Sequence, residues 1–101
     1  MKTENTQTSV RIPAPLRSYT EGASTVHVAG RSVGDALDDL ARRYPALRIH
    51  LFDEKGGLRT FVNIYLNDED IRYLERLATE VGAEDELSIV PSIAGGSASG
   101  R

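Results

Sequence analysis

The chain predicts an α+β domain in which one amphipathic helix covers one face of a mixed sheet of four to five strands. Three observations in its 101 residues lead there. Two short alternating segments, Ser9–Val10–Arg11–Ile12 and Thr25–Val26–His27–Val28, stand close together before a strong helical stripe. A β-branched and aromatic run, Thr60 to Leu66, follows the helix, and an apolar run, Leu87 to Val90, comes last. A single helix must bury its stripe on one sheet face. The order strand, strand, helix, strand, short strand, strand fits the β-grasp, or ubiquitin-like, fold. In that fold the first and last strands are parallel neighbours at the sheet centre.

Each element follows from its residues. Residues 1–7 are polar and read as a disordered leader, with the folded domain spanning 8–94. The first strand places Val10 and Ile12 on one face and ends at Pro13. Pro13–Ala14–Pro15–Leu16 is a stiff turn region. The second strand closes at Gly30, and its nearness to the first implies an antiparallel hairpin. Ser32 is an N-cap, with Asp35 three residues on as an aspartate version of the capping box. Val33, Leu37, Leu40, Ala41 and Tyr44 then share a helix face. Arg42 and Arg43 complement the negative end of the helix dipole, and Pro45 stops the helix.

Leu47 to Leu51 predicts a short irregular or helical turn, and Asp53–Glu54–Lys55–Gly56–Gly57 has turn chemistry. In the Thr60–Leu66 strand, Val62, Ile64 and Leu66 share one face, and Phe61, Asn63 and Tyr65 the other. Asn67–Asp68 begins a tight turn, after which Ile71 to Tyr73 is expected to pair as a short strand. Leu77 to Val81 reads as a helical turn.

Composition narrows the function. The net charge of −3 and the scattered basic residues argue against nucleic acid as a partner. No apolar run approaches membrane-spanning length, so a membrane is not an expected partner. The sequence has no cysteine, which removes thiolate metal sites and cysteine nucleophiles. The N-terminal residues lack the apolar core of a signal peptide, and the cytoplasm is the expected location.

The most informative feature lies just past the last strand. Ser88–Ile89–Val90–Pro91–Ser92–Ile93–Ala94 runs into Gly95–Gly96, with Ser97–Ala98–Ser99–Gly100–Arg101 beyond. Adjacent glycines lack Cβ atoms, so an arm of residues 95–101 is expected to be flexible and able to enter a narrow site on another protein. The same composition also serves as a plain linker.

Together with Phe61–Val62–Asn63–Ile64–Tyr65–Leu66–Asn67–Asp68–Glu69–Asp70–Ile71–Arg72, the Pro91–Ser92–Ile93–Ala94–Gly95–Gly96 arm resembles the MoaD/ThiS family of ubiquitin-like sulfur carriers. The likeness extends over residues 8–96 and points to carriers that serve cysteine biosynthesis. The resemblance implies a carrier that is not itself an enzyme and binds no cofactor. A ubiquitin-type (E1-like) activating enzyme would use ATP to adenylate the carboxylate of Gly96. A sulfur donor would then displace AMP to leave a thiocarboxylate. A sulfur-acceptor enzyme, such as a cysteine-synthase-like protein, would receive the sulfur.

Family members usually end at the di-glycine, so residues 97–101 imply a precursor trimmed by a zinc-dependent peptidase. The expected site residues are therefore Gly96 for covalent attachment and Gly95 and Ala94 in the arm. The same di-glycine chemistry would serve a ubiquitin-like modifier joined to other proteins through Gly96. A third reading is a non-catalytic ubiquitin-like binding module. The final sulfur acceptor stays open.

Phe61 and Tyr65 either anchor a partner, together with Ile93, or fill a minor core beneath the 45–58 loop. His27 and His50 read as ordinary surface or loop histidines, and no metal site is expected. Asp68–Glu69–Asp70 lacks calcium-loop spacing and reads as a solvated turn. Glu84–Asp85–Glu86 is either a solvated loop or an acidic docking patch. No nucleophile–base–acid set or phosphate loop is present.

Overall fold

A computed structural model describes residues 7–91. Strands β1 (Gln7–Arg11) and β2 (Thr25–Ala29) form the expected antiparallel hairpin, with Val10 opposite Val26. Helix α1 (Val33–Arg43) and a shorter α2 (Arg48–Leu51) come next. Strands β3 (Val62–Leu66), β4 (Glu69–Asp70) and β5 (Glu86–Pro91) complete a five-stranded sheet in the order β2-β1-β5-β3-β4. β5 lies parallel to β1 and antiparallel to β3, as expected for a β-grasp.

The alternation read in the sequence becomes the two faces of this sheet. Val10, Val26, Val28, Val62, Ile64, Leu87 and Ile89 are buried on the helix side. They meet Val33, Ala36, Leu37, Leu40 and Ala41 of α1. A helix of this length is marginal alone in water. The Ser32 hydroxyl caps it by accepting from the Asp35 amide at 3.1 Å, worth about 1 kcal/mol. Each fully buried aliphatic side chain contributes about 1.5–3 kcal/mol. Packing, not capping, therefore holds the helix, and Ala36 joins the predicted face because α1 lies flat on the sheet.

Two polar ties fix the helix against its neighbours. Asp39 Oδ2 accepts from the Ala29 amide and from Arg43 Nε, each at 2.9 Å. The Val33 amide donates to the Thr79 carbonyl at 2.8 Å. Thr8 is fully buried on β1, and its hydroxyl donates to the Gly82 carbonyl at 2.9 Å. That bond fastens the loop before β5 to the first strand.

The segment after β3 departs from expectation. Ile71–Tyr73 is a 3₁₀ turn, not a strand, and the short strand is Glu69–Asp70. Asn67 and Asp68 both take left-handed conformations, with φ of 50° and 78°. This is the geometry of a two-residue hairpin turn, so pairing resumes at once, with Glu69 opposite Leu66. Asp70 Oδ1 then accepts from the Arg72 amide at 2.9 Å, which caps the 3₁₀ turn and directs Ile71 into the core.

Other irregular segments are refined more than reversed. The turn after Pro13 continues as a 3₁₀ helix over Ala14–Thr20, and the helical turn expected from Leu77 is a 3₁₀ turn at Arg76–Ala78. Strand β1 begins at Gln7, inside the predicted leader.

Gly30 has a role that turn composition does not reveal. A Cβ there would lie 2.7 Å from the Ala36 nitrogen and 2.8 Å from the Asp35 Cβ. Neither neighbour can yield without moving the first turn of α1. Gly30→Ala is expected to destabilise the domain by about 1–3 kcal/mol. Urea unfolding checks this, and an unchanged midpoint would show that α1 does not depend on this close approach.

Candidate functional site

The expected covalent site, Gly96, and its neighbours Ile93, Ala94 and Gly95 lie outside the described residues. What the structure supplies is the strand that leads to them and the face beside it. β5 is central over its first half, where Glu86 to Ser88 pair with Ser9 to Arg11 on one side. On its other side, Leu87 to Pro91 pair with Leu66 to Val62 of β3. The pairing of β1 with β5 ends at Arg11 and Ser88, while the Ile12 amide prolongs the hairpin by donating to the Ser24 carbonyl at 2.8 Å. The last residues of β5 therefore extend past the partner ladder of β1, still held by β3. Proline lacks an N–H and suits such a strand end, where Pro91 stands opposite Val62.

On the side of the sheet away from α1, residues around this exit form an apolar strip. Val90 is 41% exposed and Phe61 40% exposed. Tyr65 and Asn63 are half-buried, and register places Asn63 opposite Val90 and Tyr65 opposite Ser88. Phe61 stands just before β3, next to the inward-facing Val62. The buried side chains of the 45–58 segment, Leu47, Leu51 and Phe52, belong to the main core and include neither Phe61 nor Tyr65.

Val90 is the residue of this strip that sequence reasoning missed as a site candidate. Its signal was present: Leu87 and Ile89 point inward, so an apolar residue at the next position must face outward.

The remaining sequence candidates separate. His27 is exposed on β2, and His50 stacks on Tyr19 with ring centroids 4.4 Å apart. Asp85 is committed to its loop, accepting from the Gly82 amide at 2.8 Å and from Asn67 Nδ2 at 2.9 Å. The Asp53–Gly57 turn is closed by Asp53 Oδ1, which accepts from the amides of Lys55 and Gly57. Among the described residues no group of three or more histidines and carboxylates is placed to hold a metal ion. No helix among them is long and apolar enough to cross a membrane.

Electrostatics mark two carboxylates. The Ala29 amide, aided by Arg43, holds Asp39 below the usual carboxylate range. Asp70 is buried, and the Arg72 guanidinium grips it in a forked pair, with Nη2 at 2.8 Å from Oδ2. Those bonds, with the Arg72 amide, push the Asp70 pKa down and the Arg72 pKa up. Both groups are structural ties, and neither lies on the strip beside β5.

A β-grasp sheet that carries its last strand at the centre and a di-glycine in the segment beyond defines a ubiquitin-like protein. The chain belongs to the ThiS family, whose model matches residues 10–96. It is 40% identical over 90 residues to the sulfur carrier protein CysO of Mycobacterium tuberculosis, a match covering 87% of this chain and 97% of that protein. It is 36% identical over 78 residues to small archaeal modifier protein 1 of Haloferax volcanii, covering 74% of this chain and 85% of that one. The fold superposes on a chain of the Amycolatopsis orientalis BexX/CysO complex with a TM-score of 0.80 at 38% identity. That match covers 88% of this chain and 99% of the other. The chain is thus a homologue of the CysO sulfur carrier and also of small archaeal modifier proteins.

The depressed Asp70 pKa carries a signed consequence. A carboxyl with a folded-state pKa below its unfolded value stabilises the fold above about pH 4 and loses that contribution as pH falls through the folded value. Asp70→Asn is expected to be less stable than the parent at neutral pH. The difference should shrink progressively below about pH 4. Thermal melts across that range test this, and two parallel acid limbs would contradict it.

Proposed function

We propose that this chain is a sulfur carrier that works as a C-terminal thiocarboxylate on Gly96, formed after residues 97–101 are removed, and supplies sulfur for cysteine or another sulfur-containing metabolite. The observation that carries this reading is the extent of the family match, which runs through the domain and ends on Gly96. The likeness to CysO over nearly its whole length supports the same pathway class.

The chemistry needs no side chain from this protein. In the full chain the Gly96 carbonyl is part of an amide, so a zinc-dependent peptidase must first free it. An activating enzyme then lets the carboxylate oxygen attack the α-phosphorus of ATP and expel pyrophosphate. A sulfur nucleophile attacks the acyl carbon and expels AMP, leaving the thiocarboxylate. Gly95 and Ala94 keep the arm slim enough to enter the partner enzymes. The use of ATP fits a cytoplasmic setting. The acceptor is a sulfur-acceptor enzyme such as a cysteine-synthase-like protein, and Phe61, Tyr65 and Val90, with Ile93 from the segment beyond, serve in docking. The BexX/CysO complex supports a partner-bound mode of action.

The test compares full-length protein with a chain ending at Gly96, each given ATP, sulfide and the activating enzyme of a related organism. Intact mass should show an oxygen-to-sulfur exchange only in the shorter chain. Equal loading of both would overturn the precursor reading. High-mass protein conjugates without sulfur would favour the modifier alternative, which the likeness to small archaeal modifier protein 1 supports. No change in either chain would leave the binding-module reading.

Phe61→Ala and Val90→Ala should weaken binding to the activating enzyme by about tenfold together, since a few exposed apolar anchors dominate such interfaces. Their melting temperature should hold within a few degrees. A large loss of stability with unchanged binding would return these side chains to the core.

A further inference from the structure

A second concave surface lies on the opposite side of β3 from the strip beside β5. It is a pocket of about 470 Å³ between the segment entering β3 and the 3₁₀ turns after β4. That volume falls within the range of small-molecule sites. Val62, Ile64 and Ile71 line it and are all buried, with half-buried Leu58 and Leu77 beside them. Helix α1 packs against β2 and also against the Arg76–Ala78 turn at the edge of this region.

Three arginines, Arg59, Arg72 and Arg76, share this lining with Thr60, Asn63 and one acidic residue, Asp70. Asp70 is consumed by Arg72 through the forked pair. Arg59 donates only its Nε to a carbonyl, that of Ile49, at 2.6 Å, so its terminal nitrogens are uncommitted among the described residues. Arg76 has no carboxylate partner among the described residues. It also holds a left-handed backbone conformation, with φ of 55°, which a long side chain rarely takes. In a chain of net negative charge, the lining thus concentrates two uncompensated cations against an apolar wall.

We infer that this pocket binds a small organic anion, a carboxylate or phosphate monoester on an apolar body, with the anionic group between Arg59 and Arg76 and the body against Ile71 and Leu77. Guanidinium groups recognise both anions through paired N–H donors. The inference stands apart from the sulfur-carrier reading, since it uses neither the di-glycine nor the face beside β5.

Amide NMR of the ¹⁵N-labelled full chain tests it, with benzoate and phenyl phosphate as probes and benzyl alcohol and inorganic phosphate as controls. Saturable shifts at Leu58, Val62, Ile71 and Leu77 are expected from whichever organic anion fits, and these tell carboxylate from phosphate. Both controls should bind at least about tenfold more weakly. Arg59→Gln should weaken the anion by about tenfold. Arg76→Gly should do the same while keeping or raising the melting temperature, because glycine accepts the left-handed backbone freely. Absence of shifts at these residues overturns the inference. Equal binding of benzyl alcohol, or indifference to both arginine variants, overturns the role of charge. Equal binding of inorganic phosphate overturns the role of the apolar wall.

Discussion

Val10 on β1 faces Leu87 on β5 across a parallel ladder that joins the two ends of the described chain. Both side chains are fully buried beneath α1. The hairpin, the helix and the β3–β4 unit are each local, and this ladder is where they become one sheet. It is also the costliest pairing to form, because the whole intervening chain must be closed into a loop before it contributes. Its reward is burial on one face and continuous pairing on both sides of β5. The Thr8–Gly82 bond supports it from the flank by holding the entry to β5 against β1. Whatever loosens this ladder loosens the strand that carries the C-terminal segment.

That dependence explains why the regular elements were legible in the sequence. Leu37 and Leu40 belong to a helical stripe, and Val62 and Ile64 to an alternating run, because each must face the same core. The parallel placement of β5 beside β1 was expected because the order of elements fits the β-grasp, in which the first and last strands are parallel neighbours. What stayed hidden was held by contacts between segments. Nothing in the spacing of Gly30 announces that Ala36 and Asp35 crowd the place of its missing Cβ. Asp39 reads as one more charge on a solvated helix face, yet it ties α1 to the Ala29 amide. Ile71–Tyr73 has strand composition, but the two-residue turn at Asn67–Asp68 spends the pairing on Glu69 and Asp70, and the Asp70 cap curls the next residues inward.

The candidate site was legible in a different way. The chemistry proposed for it belongs to a backbone carboxylate, which no arrangement of side chains marks. Glycines, a resemblance and the position after the last strand were the available signals. The strip proposed for docking was half readable. Phe61 and Tyr65 stood out as aromatics on an outward face, whereas Val90 could be placed only once the inward pair Leu87 and Ile89 fixed the phase of β5. The arginine pocket was not readable at all, because Arg59, Arg72 and Arg76 come from separate turns that only the fold assembles.

A carrier of this kind must satisfy two demands that oppose each other. The attachment point has to reach into a partner's active site, which favours a chain free of tertiary contacts. The partner has to recognise the protein, which favours a rigid surface. The end of β5 reconciles them within a few residues. Val90 still lies in the ladder opposite Asn63, so its outward side chain is held as firmly as the sheet itself. Pro91 is the last described residue of that ladder and, lacking an N–H, cannot donate to a pairing that would extend it. In the proposed function, recognition falls to the sheet and chemistry to the segment beyond it. Val90 and Asn63 face each other in the ladder that Pro91 and Val62 end, so under the proposed function a partner that grips Val90 also holds the end of β5.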